Sequence, residues 1–189
     1  MQLMITYNLY KILKNEIGNG SIDLVTRQSG GLIRKKIEDD IMKEQEGSVI
    51  ALDFTEIGIM DYSCADEIVA KLVSRLLSNE YGEKYILLKG LNENQKENIE
   101  VALDRKELAV MAEMRSGEKT LMGSLNNYLR ETLQHIIMNG KIAARDLSEA
   151  MGLESNTSGT RLLNLHKKRL VIRKDEPRSG GKVWVYESL

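Results

Sequence analysis

The chain has 189 residues, 42% hydrophobic and 29% charged, enough to bury a core in one large or two small domains. Its 27 Lys+Arg and 28 Asp+Glu nearly cancel, and a single cysteine, Cys64, excludes both an intramolecular disulfide and a cysteine cluster for zinc. No run reaches the roughly 20 apolar residues that span a bilayer, and no cationic, then apolar, leader opens the chain, so a soluble cytoplasmic protein with no membrane association is expected.

Met1 to Lys14 mixes β-branched and aromatic residues in a pattern that fits a strand or a short helix. Arg27 to Gln45 sets Leu32, Ile33, Ile37, Ile41 and Met42 at helical spacing behind Gly30-Gly31, a helix-entry turn or a weak anion-contact signal. Ser48 to Phe54 is a short apolar run ending near an acid, as in a buried strand of a mixed or parallel sheet. A helix over Ser63 to Asn79 carries Ala65, Ile68, Val69, Leu72, Val73, Leu76 and Leu77 on one face. Tyr85 to Leu88 is the next strand and Gln95 to Glu107 the next helix, with Ile99 and Leu103 inward. Ala109 to Met114 and Lys119 to Met122 then read as a hairpin around Arg115-Ser-Gly. Strand and helix alternating through short links predict an α/β layer with right-handed crossovers, ending before Gly123.

Within this first domain, Val49-Ile-Ala-Leu-Asp-Phe-Thr-Glu-Ile-Gly-Ile-Met-Asp-Tyr-Ser-Cys-Ala-Asp-Glu-Ile-Val69 resembles the STAS domain of sulfate transporters and anti-sigma-factor antagonists, particularly its divergent bacterial group. The family's Asp-Ser-Ser-Gly segment corresponds to Asp61, Tyr62, Ser63 and Cys64. The resemblance implies a regulatory domain over residues 1–122 that meets a protein partner or signal, with Ser63 at the position that the family's partner kinase phosphorylates. On the residues alone, Ser63 is either such a switch or an N-cap, with Asp66 and Glu67 completing the first helical turn.

The second domain, 123–189, begins with a helix whose inward stripe is Leu125, Leu129, Leu133, Ile136 and Ile137 and whose stop is Asn139-Gly140. A second helix, Ala144 to Met151, turns Leu147, Ala150 and Met151 inward and ends at Gly152; a third, Asn156 to Arg169, buries Leu162 and Leu165. Val171 to Glu176 and Lys182 to Tyr186 alternate as two strands around Pro177-Arg-Ser-Gly-Gly181, with Trp184 and Tyr186 expected in the core. Ala144 to Leu153 and Leu165-His-Lys-Lys-Arg-Leu-Val171 resemble the winged helix-turn-helix family, with Arg169 where the family often has glycine. The fold expected is therefore an α/β STAS-like sheet-and-helix domain followed by a small α+β winged helix.

Charge is unevenly shared. Residues 1–122 hold 16 Lys+Arg against 21 Asp+Glu, net −5, and residues 123–189 hold 11 against 7, net +4. From Ser155 to Lys182, eight cations face only Asp175 and Glu176. Duplex DNA is the partner such a surface implies. Thr157, Thr160, Arg161, Asn164 and Lys168 recur on the outer side of the third helix, where arginine can fork to guanine and asparagine to adenine. Arg173, Lys174, Arg178 and Lys182 would hold phosphates from the wing. Paired half-sites would call for a homodimer. With only His135 and His166, and without a metal spacing, phosphate loop or nucleophile elbow, no catalysis, metal or cofactor is expected. The alternative is a partner-switching adaptor whose winged helix binds protein.

Overall fold

The computed structural model describes residues 3–18, 20–178 and 181–189, the side chain of Arg178 excepted. The chain forms two compact units that divide between Ser124 and Leu125. The first is an α/β unit: β1 (Met4–Asn8), α1 (Leu9–Glu16), α2 (Arg27–Ile41), β2 (Val49–Asp53), α3 (Tyr62–Ala65), a π-helical turn (Asp66–Ala70), α4 (Lys71–Leu77), β3 (Tyr85–Lys89), α5 (Glu93–Asp104), β4 (Ala109–Glu113) and β5 (Lys119–Gly123). The open choice at the N-terminus resolves into both alternatives in succession. Strand β1 passes directly into α1, whose N-cap Asn8 accepts the Lys11 N–H at 2.8 Å.

Five strands lie in chain order, parallel from β1 to β4, with β5 returning antiparallel to β4. In such a singly wound order, crossovers of one hand place the helices on one face. Alternate strand residues Ile50, Leu52, Ile86, Leu88, Val110 and Ala112 accordingly share one core with Ile33 and Ile37 of α2, Leu72 and Leu76 of α4, and Ile99 and Leu103 of α5. The intervening Val49, Ala51, Tyr85, Leu87 and Met111 are buried too, which is why β2 and β3 read as continuous apolar runs rather than alternating ones.

Gly30 is not an entry turn, because α2 is already capped by Thr26, whose hydroxyl accepts the Ser29 N–H. Its role is packing. A Cβ there would stand 3.0 Å from the Cβ of Glu67 and 3.1 Å from the Cα of Cys64, so the missing side chain lets α2 lie against α3 and the π-helical turn.

The second unit contains α6 (Asn127–Asn139), β6 (Ile142–Ala143), α7 (Ala144–Met151), α8 (Ser155–Lys167), β7 (Val171–Arg178) and β8 (Gly181–Ser188). Its sheet is antiparallel in the order β6-β8-β7. Leu129, Leu133, Ile136, Leu147, Leu162, Leu165, Leu170, Val171 and Val185 are buried. Strand β6 escapes sequence analysis because two residues carry no periodicity.

Two inward assignments are corrected. Ala150 is exposed, so Leu147 is the one fully buried side chain of α7. Trp184 is 49% exposed, while Tyr186 is buried with its ring edge-on to His166, centroids 6.5 Å apart. Both point to one face of β8, but Trp184 lies a pleat nearer the hairpin tip, opposite Asp175, where it stacks on Arg173 at 4.2 Å.

Helix α8 ends in a Schellman arrangement with Arg169 in the left-handed conformation, φ 58°. The Arg169 N–H donates to the His166 carbonyl at 2.8 Å and the Leu170 N–H to the Leu165 carbonyl at 3.1 Å. Arginine thus adopts the shape for which the winged-helix pattern uses glycine.

Candidate nucleic-acid interface

Helix α8 buries Ser158, Leu162 and Leu165 and turns its opposite face outward. On that face, Thr157, Thr160, Arg161 and Asn164 meet Asn156 and Tyr128 around an open groove of about 360 Å³. Four residues singled out from sequence therefore converge, and two others join them. Asn156 extends the same helical face by one turn. Tyr128 comes from the start of α6, 45% exposed, and no spacing rule connects it with α8.

The groove offers donors and acceptors. The side chains of Asn156, Thr157 and Asn164 have no hydrogen-bond partner among the described residues. The Thr160 hydroxyl is turned back onto the Asn156 carbonyl at 2.8 Å, leaving its methyl group and oxygen lone pairs outward. Arg161 lies over the Tyr128 ring at 5.3 Å and donates to the Tyr128 carbonyl across a long 3.4 Å, so its guanidinium is steered but not locked.

The remaining cations stand elsewhere. Lys168 caps α8 half-buried and does not line the groove. On the hairpin, Arg173 and Lys182 share the Trp184 face, whereas Lys174 lies on the other face and pairs with Glu187. Lys182 reaches Asp175 at 3.5 Å, and Lys141 pairs with Glu176 at 2.5 Å. Two cations of the hairpin are therefore already paired, Lys174 with Glu187 from outside the segment Ser155 to Lys182 and Lys182 with Asp175 within it, whereas Lys141 adds a cation that neutralises Glu176. The side chain of Arg178 lies outside the described residues.

In the first unit, Asp61 rather than Ser63 caps α3. Its carboxylate accepts the Cys64 N–H at 2.8 Å, and the half-buried Ser63 hydroxyl donates to the same carboxylate, 2.9 Å from each oxygen. Burial opposes the Asp61 charge, but the Cys64 N–H, the Ser63 hydroxyl and the Thr26 N–H outweigh it and hold the group below its ordinary value. Asp66 and Glu67 do not complete the cap. Arg27 reaches them at 2.9 and 2.8 Å.

The Cys64 thiol is fully buried and donates to the Thr26 carbonyl at 3.0 Å. Burial foremost, then the Asp61 charge, pushes it up to about 12, so it stays protonated near neutrality. No group of three or more His, Cys, Asp or Glu is arranged to hold a metal among the described residues, and no described helix is long and apolar enough to cross a membrane.

Comparison with protein-family models, curated proteins and solved structures gave no match to this chain.

Proposed function

We propose that the chain is a DNA-binding transcription regulator: α6, α7, α8 and the β7–β8 hairpin act as a winged helix-turn-helix on duplex DNA, and the first unit, as a STAS-like domain, receives a signal or partner. The observation that carries this reading is the outer face of α8, where Asn156, Thr157 and Asn164 keep their side-chain hydrogen-bonding groups unspent beside Arg161. A helix entering the major groove needs such groups uncommitted, since base edges are read by direct hydrogen bonds. Arg173 and Lys182, on one face of the hairpin, would contact the backbone. Regulation is linkage: whatever binds the first unit shifts dimer geometry or the exposure of the second, and DNA affinity follows.

A second reading, a partner-switching adaptor, draws support from the pairing of Lys174 and Lys182 with Glu187 and Asp175, which engages two hairpin cations otherwise free for phosphate. In it, the second unit binds protein and Ser63 is the switch. A phosphate on Ser63 would stand against the Asp61 carboxylate and remove the hydroxyl proton now shared with it.

Titration of the intact protein with genomic DNA fragments across a salt series separates the two. The regulator binds particular fragments, loses affinity as salt rises, and loses selectivity when Arg161 and Asn164 are both replaced by alanine. Binding no tighter than to random DNA, equal in wild type and variant, would select the adaptor.

A further inference from the structure

A second cavity lies wholly in the first unit. Arg34 of α2, Lys71, Ser74 and Arg75 of α4, and Lys106 just beyond α5 line an open space of about 320 Å³. Its lining holds four cations and a hydroxyl but no carboxylate. Carboxylates lie beneath instead: Glu38, Asp66 and Glu67 are 9%, 6% and 4% exposed.

Those acids fix the cations in place. Arg34 holds Glu38 through Nη1 at 2.7 and 2.8 Å and Glu67 through Nε at 3.4 Å. Arg75 reaches Glu38 through Nη1 at 2.5 Å and Glu80 through Nε at 2.7 Å. Lys71 pairs with Glu67, and Lys106 with Asp66 at 2.6 Å. The Tyr81 hydroxyl adds a bond to Glu38 at 2.6 Å. Burial works against the charge on all three acids, yet these bonds hold them below their ordinary values.

Each cation is thus anchored from one side and open on the other. Neither Arg34 nor Arg75 spends its Nη2 on the protein among the described residues; Lys71 and Lys106 each make one ion pair with three protons to give, and the Ser74 hydroxyl has no partner there. The geometry points to a binding site for the phosphate group of a small molecule, held by Arg34, Lys71, Ser74, Arg75 and Lys106. A phosphate presents three oxygens to donors arriving from three elements, and two guanidinium groups match it better than a single carboxylate would. The buried acids act as positioning residues that preset the donors, so binding requires little reordering. The assignment does not rest on DNA binding by the second unit.

The test is calorimetric titration of the intact protein with inorganic phosphate and with pyrophosphate, ionic strength held constant with chloride. Saturable binding is expected, weakened at least about tenfold by Ser74→Glu, which sets a carboxylate among the cations, and weakened less by Ser74→Ala, which removes one hydroxyl donor. Ser74 is exposed on α4, so both variants should melt with the wild type, and Lys106→Gln should weaken binding in the same direction. Absence of saturation, or equal affinity in wild type and a folded Ser74→Glu variant, would overturn the assignment.

Discussion

Gly30 and Gly31 are adjacent on α2, yet the structure gives them opposite tolerances. A methyl at Gly31 meets nothing nearer than the Glu67 carboxylate at 3.8 Å, so Gly31→Ala should stabilise the helix by up to about 1 kcal/mol through propensity alone. At Gly30 the neighbours, at 3.0 and 3.1 Å, include the backbone of Cys64, which cannot swing aside. Gly30→Ala should therefore cost about 1–3 kcal/mol despite the same propensity gain. Chemical denaturation of the two variants beside wild type checks the sign of each. Arg169 offers a comparable contrast. Alanine keeps the left-handed strain and removes the guanidinium, whereas glycine removes both, so Arg169→Gly should be the more stable of the two by about 1 kcal/mol. Equal midpoints would mean that the φ of 58° carries no strain.

At the level of elements, α2, α4 and α5 are joined by ion pairs as well as by apolar packing. Glu38, Asp66 and Glu67 titrate lower in the folded chain than in an unfolded one, since the bonds from Tyr81, Arg34, Arg75, Lys106, Arg27 and Lys71 overcome the cost of burial. Their contribution to stability is complete above the unfolded carboxylate values, about 4, and is lost as pH falls through the lower folded ones. The urea midpoint followed by a first-unit signal should hold between about pH 7 and 5 as far as these groups decide it, then fall, and fall less steeply in Glu38→Gln.

Elements were the most legible feature of the sequence. Apolar runs such as Val49-Ile-Ala-Leu and spaced stripes such as Ile33, Ile37 and Ile41 fix strand and helix because burial acts on every residue of them. The outer face of α8 was legible for the same reason, being the complement of Leu162 and Leu165. What escaped depends on contacts between residues far apart in the chain. Tyr128 joins the groove across 33 residues from Arg161, Glu187 neutralises Lys174 from the partner strand, and Trp184 is exposed one pleat nearer the hairpin tip than the buried Tyr186. Alternation tells which side a residue faces, not how far along the strand the cover extends.

For the whole molecule, near-neutrality conceals an unequal division of charge, net −5 over residues 1–122 and +4 over residues 123–189. Long-range attraction of a polyanion to one part and repulsion from the other would orient encounter, and both effects fade beyond a Debye length of about 8 Å at physiological salt. Under the proposed function, Lys182→Ala should weaken binding to all DNA sequences alike and reduce the slope of log affinity against log salt by about 1, because it removes one phosphate contact. Asn164→Ala should leave that slope unchanged and relax sequence preference. A Lys182 variant that altered preference, or an Asn164 variant that altered the slope, would reverse the roles assigned to hairpin and helix.

The sole sulfhydryl, packed where α2 crosses α3 and hydrogen-bonded to the Thr26 carbonyl, turns the chain into its own timekeeper. A thiol reagent finds nothing to attack in the closed state, and the chain holds no other cysteine to add background. Modification therefore requires those helices to part, and where reclosing outpaces reaction, the labelling rate under native conditions relative to that of a free thiol gives the free energy of that opening without any engineered probe.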